Sequence, residues 1–87
     1  MKAVVTVIGK DMVGILAKVA GACANANANV LEVTQSVLEE YFAMVMLIDI
    51  TDMSCEIDAL KKNITEAVPD MQIHVMHEDI FNSMHRI

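Results

Sequence analysis

The run Phe42–Ile50, FAMVMLIDI, is the feature that most restricts the fold of this 87-residue chain. Every position except Asp49 is apolar, so a strand formed by this run cannot turn either face toward water. Such a strand needs a neighbour along each edge, and we therefore predict that it lies in the centre of a sheet. A chain of this length rarely builds two separate cores, so we expect a single domain over residues 1–87.

The first half of the chain predicts three further elements. Lys2–Ile8 is a short β-branched run that ends at Gly9 and is typical of a strand. From Val13 onward, apolar residues recur every three or four positions, which predicts a helix that ends near the NANAN stretch at residues 25–29. Val30–Leu38 alternates between apolar and polar residues and predicts a strand with one wet face, followed by a tight turn at Glu39 and Glu40.

The second half predicts a helix, a strand and a helical end. Asp52 or Ser54 is expected to cap the helix, and Pro69 to stop it. Met71–His77 alternates like a strand, and residues 79–86 are typical of a short helical turn or of a tail. The apolar stripe of the predicted helix consists of Ile57, Leu60, Ile64 and Val68.

The resulting order, βαββαβ, predicts an α+β fold of the ferredoxin-like type. In this fold a four-stranded antiparallel sheet carries two helices on one face, because both crossovers are right-handed. The first and third strands are expected in the centre. The other face would then expose Val4, Ile8 and alternate residues of the third strand, including either Val45 or Met46. Such an apolar patch usually marks an interface, so we expect a homodimer or a higher homo-oligomer.

Charge and composition argue against several functional classes. The net charge of −6 disfavours nucleic acid and anionic membranes as partners. No apolar run approaches the roughly 20 residues that span a bilayer, and no signal peptide is evident, so we expect a cytoplasmic protein.

No residue pattern predicts catalysis, a metal site or a cofactor. Cys23 and Cys55 form no CxxC pair and are expected to be reduced thiols. His74 and His77, three residues apart in a strand, point to opposite faces and cannot share an ion. We therefore predict a binding module rather than an enzyme.

The loop GKDMVGIL, residues 9–16, is the candidate site. Gly9 and Gly14 allow unusual backbone conformations, and the helix N-terminus that follows can bind a carboxylate. Asp11 could accept a hydrogen bond from a ligand's ammonium group, which would suit an amino acid, or it could merely cap the helix.

This loop, the following helix and the segment NANVLEVTQS resemble the ACT domain, in which an acidic or amide residue lies three positions before a Gly. The resemblance covers essentially the whole chain. It is closest to the small stand-alone ACT proteins of bacteria and archaea, and more distant to the regulator of the glycine cleavage operon. It implies a homodimer that binds a small molecule, an amino acid above all, between two domains. A docking module that works without a ligand is the alternative.

Carried over by position, the resemblance gives Asp11 a ligand contact, Gly14 a close backbone approach and Asn29 a contact from the neighbouring domain. The chain departs from the family at two positions: Val13 stands where the family often has Pro, and Met12 stands where it often has a basic or polar residue. The ligand-binding residues that this implies are Gly9, Asp11, Met12, Val13, Gly14, Ile15, Leu16 and Asn29.

Overall fold

The sheet has the predicted antiparallel topology. The computed structural model describes residues 1–10 and 13–84. Its strands are β1 (Lys2–Gly9), β2 (Asn29–Leu38), β3 (Tyr41–Asp49) and β4 (Gln72–His77), in the spatial order β2-β3-β1-β4. The two most apolar strands, β1 and β3, therefore lie in the centre, where both of their faces escape water.

The helices of the described part of the chain are α1 (Ile15–Asn25), α2 (Ile57–Ala67) and α3 (Glu78–Met84). The core lies between the sheet and the first two helices. Met46 is fully buried there, whereas Val45 lies on the opposite face, with 37% of its surface exposed. The largest fully buried side chains are Met44, Met46, Ile48, Leu60, Ile64, Val5, Val7, Val19 and Cys23.

The turn between α1 and β2 is fixed by the connection that follows β3. Asn27 adopts a left-handed conformation with φ of 61°, which Asn tolerates better than most residues. Its side-chain amide donates to the carbonyl of Asp52 at 2.9 Å. Ser54 donates from its backbone N–H and its hydroxyl to the carbonyl of Ala26, at 2.8 and 3.1 Å.

These bonds show that the predicted cap of α2 is wrong. Ser54 is occupied by Ala26, and the helix begins later, with Glu56 at its N-cap and no hydrogen bond from that side chain. Asp58 still places a negative charge in the first turn, where the helix dipole favours it.

The β2–β3 hairpin closes through the predicted two-residue turn. Leu38 pairs with Tyr41, and Glu39 takes a φ of 56° between them. A bulge between Val30 and Glu32 shifts the register of β2, so that Leu31 has no partner in the ladder.

The face of the sheet remote from α1 and α2, here called the open face, is partly covered by α3. This helix follows β4 without a loop and packs on β1 and β4. Val4, which we expected in the exposed patch, is only 3% exposed as a result, whereas Ile8 and Val45 remain exposed. Of the predicted helical end, residues 85 and 86 lie outside the described residues.

Among the helices described, none has both the length and the apolar character needed to cross a bilayer.

Candidate functional site

Gly14 begins α1 in a left-handed conformation. Its φ is 72°, and no side chain caps the helix. Its carbonyl accepts the N–H of Lys18 at 3.0 Å, which closes the first turn. Among the residues described, nothing accepts a hydrogen bond from the N–H groups of Ile15, Leu16 or Ala17. The start of the helix therefore presents unpaired donors at the positive end of its dipole, which favours an anionic group.

Of the described apolar side chains at this helix start, that of Ile15 is buried, and those of Val13 and Leu16 are accessible. Ile15 is buried in the core, so it offers only its backbone N–H to a ligand. Val13 is 83% exposed, and Leu16 is exposed to a lesser degree. Asp11 and Met12 lie outside the described residues. The free N–H groups thus lie beside two accessible apolar side chains.

Gly9 does not have a positive φ, and the absence of a Cβ there leaves room for the flexible end of the Met71 side chain. A Cβ at this position would collide with Met71 Sδ and lie 2.9 Å from Met71 Cε. Within the described chain, Gly14 is the glycine with positive φ. Of the two glycines predicted to give the loop its freedom, only Gly14 does so.

The Lys10 side chain lies beside the turn of the β2–β3 hairpin. Its Nζ lies 5.7 Å from the ring centroid of Tyr41 and 3.9 Å from Oε2 of Glu40. Both partners are exposed, so the ion pair contributes little to stability. The contacts hold the Lys10 charge beside the turn.

A depression of about 560 Å³ adjoins the loop at the same end of the sheet. Three of its residues, Tyr41, Asp70 and Gln72, come from segments other than β1 and the loop and were not predicted from the sequence. Tyr41 could have been expected there from the strand register, because Gly9 pairs with Phe42 and this pairing brings the hairpin beside the loop. The residues that line the depression are Ile8, Gly9, Lys10, Tyr41, Asp70 and Gln72.

Asn29 lies at the other end of the sheet. It pairs with Asp49, which pairs in turn with Lys2. Lys2 and Gly9 are separated by seven residues of β1, about 24 Å at roughly 3.4 Å per residue. Gly9, the first residue of the predicted loop, and Asn29 therefore do not meet within one chain.

Asp49 carries a stabilised charge near Asn29. Its Oδ1 accepts the hydroxyl of Thr51 at 2.7 Å and the backbone N–H of Thr51 at 2.9 Å. These two bonds hold the pKa of the Asp49 carboxyl below its ordinary value. The backbone nitrogen of Met1 lies 3.8 Å from the same oxygen.

The two cysteines are free thiols, and His74 and His77 lie on opposite faces of the sheet, as the sequence predicts. Cys23 is buried, Cys55 is half-buried, and both are free. Burial raises the pKa of the Cys23 thiol to about 11, so it stays protonated at neutral pH. His74 pairs with Thr6 and His77 with Ala3, which places the two imidazoles on opposite faces of the sheet. Within the described residues, no three His, Cys, Asp or Glu side chains are grouped to hold a metal ion.

Comparison with known proteins agrees with this fold. Residues 2–78 match the model of the ACT domain family, and the chain belongs to that family. A UPF0237 protein of Clostridium perfringens is 46% identical over 89 aligned positions, which cover 100% of both chains. The solved structure of an ACT domain protein from Streptococcus pneumoniae is 32% identical, with a TM-score of 0.78 and 98% of each chain covered.

A more distant solved structure is that of a candidate glycine cleavage system transcriptional repressor. It is 19% identical with a TM-score of 0.61, and the match covers 85% of this chain and 43% of that one. At this identity the likeness shows the fold alone. The resemblance to the ACT domain, to its small stand-alone members and more remotely to the glycine cleavage regulator is thus confirmed. ACT domains are generally regulatory modules that bind small ligands.

Proposed function

We propose that this chain is a regulatory module that binds an amino acid at an interface between two copies of itself. The observation that carries the proposal is the open start of α1. There a left-handed Gly14 precedes three N–H groups that have no acceptor among the described residues. An α-carboxylate is a small anion that can accept such hydrogen bonds.

The residues around these donors can take the rest of an amino acid. Ile15 and Leu16 supply N–H groups to the carboxylate, and the side chains of Val13 and Leu16 contact an apolar ligand side chain. Asp11, on the same loop, is the acceptor for the ammonium group. Gly9 and Met12 complete the loop that surrounds the ligand.

Asn29 joins the site from the second copy. Because it lies at the opposite end of the sheet, the two copies must be related by a two-fold axis perpendicular to the strands. An axis parallel to the strands would place like ends together and leave Asn29 far from the loop. We assign the shared site to a side-by-side pair, whose axis runs perpendicular to the sheet and keeps α1 of both copies on the same side.

Regulation follows from the shared site. A ligand that binds residues of both copies stabilises the pair relative to separated chains, by an amount that grows with ligand concentration. The module thereby converts the concentration of an amino acid into a change of assembly.

A thermal-shift screen against the twenty common amino acids tests the proposal. We expect at least one to raise the melting temperature in proportion to the logarithm of its concentration, as mass action requires. The amide of the same amino acid, which lacks the carboxylate, is the matched control and should give no shift. A screen in which no amino acid raises the melting temperature at millimolar concentration would contradict the proposal.

A further inference from the structure

The open face contains an apolar groove beside α3. Its floor is formed by β1, β3 and β4, and Phe81 and Met84 of α3 form its wall. The volume of the groove is about 500 Å³. Sites for small molecules usually measure roughly 300 to 1,000 Å³ and are lined mainly by apolar side chains with a few polar groups, so the groove has the size and the lining of such a site. Its other apolar lining residues are Ile8, Ala43, Met44, Val45 and Met76.

Two polar side chains, those of Thr6 and His74, lie next to each other in this lining. They are direct partners across the β1–β4 ladder. The Cβ atoms of such partners are roughly 4.5 to 5.5 Å apart, so both side chains can reach one small polar group. Within the described chain, neither the Thr6 hydroxyl nor the His74 imidazole makes a hydrogen bond to another residue. The pair can therefore bind the polar head of a ligand.

The charge of the lining determines which kind of head fits. Among the described residues that line the groove, His74 is the ionisable one, and an imidazole is either neutral or positive. In both states it can donate a hydrogen bond, as the Thr6 hydroxyl can, and a carboxylate can accept both bonds. We propose that the groove binds an amphipathic carboxylate, with its apolar body along the floor and its acidic head at Thr6 and His74.

Carboxylates lie near the groove but not in its described lining. Glu32 and Glu78 line a second depression, of about 220 Å³, which shares Phe81 and Val45 with the groove. Glu32 on β2 is three strand spacings from His74 on β4, about 14 Å at roughly 4.8 Å per spacing, which exceeds the Debye length of about 8 Å in physiological salt. Glu32 therefore opposes an anion at His74 only weakly. Because Glu78 favours a cation, a ligand with a cationic head is the decisive comparison.

This site is separate from the amino-acid site at the start of α1 and does not depend on it. The groove lies on the open face, whereas α1 lies on the opposite face of the sheet. The ligand also differs, because it needs an apolar body and no ammonium group. An amino acid bound at the helix start should therefore not compete with a ligand in the groove.

Titration of the full chain with octanoate, octanol and octylamine tests the inference, since these probes share one alkyl chain and differ in the charge of the head. Calorimetry measures the affinities. We expect octanoate to bind about tenfold more tightly than octanol or octylamine, because hydrogen bonds to a charged group are stronger than those to a neutral one. In NMR spectra of protein with labelled methionine methyl groups, octanoate should shift the signals of Met76 and Met84. The signal of Met53, which packs against the core, should stay in place.

Two variants test the polar pair itself. His74→Phe keeps an aromatic ring and removes the N–H donors, and Thr6→Val keeps the shape and removes the hydroxyl. Each should lower the ratio of octanoate affinity to octanol affinity several-fold, and this ratio is insensitive to changes in apolar contact. His77→Phe is the matched control, because His77 lies on the same strand but on the opposite face, and it should keep the ratio of the parent. Circular dichroism verifies that each variant is folded.

Four results would overturn the inference. They are equal binding of octanoate and octanol by the parent, tighter binding of octylamine, an absence of shifts at Met76 and Met84, and an unchanged ratio in both folded variants. If the Met76 and Met84 signals instead change with protein concentration in the absence of any probe, a second copy occupies the groove and the inference is also wrong. The amino-acid screen enters none of these outcomes, so each proposal can fail without the other.

Discussion

Gly9 and Asn29 lie at opposite ends of the same sheet. Gly9 pairs with Phe42 at one end of the β1–β3 ladder, and Asn29 pairs with Asp49 at the other. Rigid strands keep these ends apart, so no local movement of the loop can bring them together. A site that uses both residues must therefore be built from two chains, and binding and assembly are then coupled.

Replacement of Gly14 by Ala should destabilise the protein by about 1 kcal/mol, because an L-residue resists the left-handed conformation held there. The added Cβ meets nothing closer than Lys18 Cε at 3.9 Å, so the cost arises from the backbone and not from a clash. Urea unfolding measures the change in the free energy of unfolding.

Gly21→Ala is the matched control for this prediction. Gly21 lies within α1, and a Cβ added there would meet no atom within 4 Å, so Ala should stabilise the helix by about 0.5 to 1 kcal/mol. Equal effects of the two substitutions would show that the conformation of Gly14 is not a constraint.

Asp49→Asn should reduce stability near neutral pH and have a smaller effect in acid. The folded pKa of Asp49 lies below its unfolded value, chiefly because of the Thr51 hydroxyl and then the Thr51 N–H. Its contribution to stability is therefore fully present above the unfolded pKa and is lost as the pH falls through the folded pKa.

Urea midpoints at about pH 6 and about pH 3 for parent and variant test this dependence. Thr51→Ala, which removes the hydroxyl donor, should also weaken the acid dependence. A difference between parent and Asp49→Asn that is the same at both pH values would contradict the assignment.

The two thiols should react with iodoacetamide at very different rates. Cys23 is buried with a pKa of about 11, whereas Cys55 is half-buried at the end of the connection that leads into α2. In the Cys55→Ser variant we expect labelling only in denaturant, and in Cys23→Ser labelling of the native protein at the rate of the parent. Rapid labelling of native Cys55→Ser would show that Cys23 is accessible.

The sequence was sufficient to predict the strands because their patterns are governed by burial. Phe42–Ile50 and Lys2–Ile8 are apolar on both faces, and only the central positions of a sheet satisfy that pattern. Val45 and Met46 could not be assigned to a face from sequence alone, since both are apolar. The strand register supplies that distinction.

Contacts between distant segments were harder to predict. Ser54 was one of the two residues predicted to cap α2, yet its hydroxyl donates to the carbonyl of Ala26, 28 residues earlier. The cover that α3 gives to Val4 was missed because a seven-residue amphipathic helix has too short a pattern to show which surface it packs on. In the candidate site, the helix start at Gly14 could be predicted because glycine is the residue type that such a turn favours. The separation of Asn29 from the loop could be seen only from the pairing of the strands in the sheet.

Subunit mixing tests the shared amino-acid site most directly. Asp11→Ala and Asn29→Ala, each alone, should lose binding of the amino acid that stabilises the parent, as measured by calorimetry. When the two variants are unfolded together and refolded in equal amounts, half of the pairs combine one chain of each kind. Each mixed pair contains one site with both native residues, so we predict recovery of about a quarter of the parent's binding sites, at the parent's affinity. A mixture that binds no more ligand than its separate components would contradict a site shared between two chains.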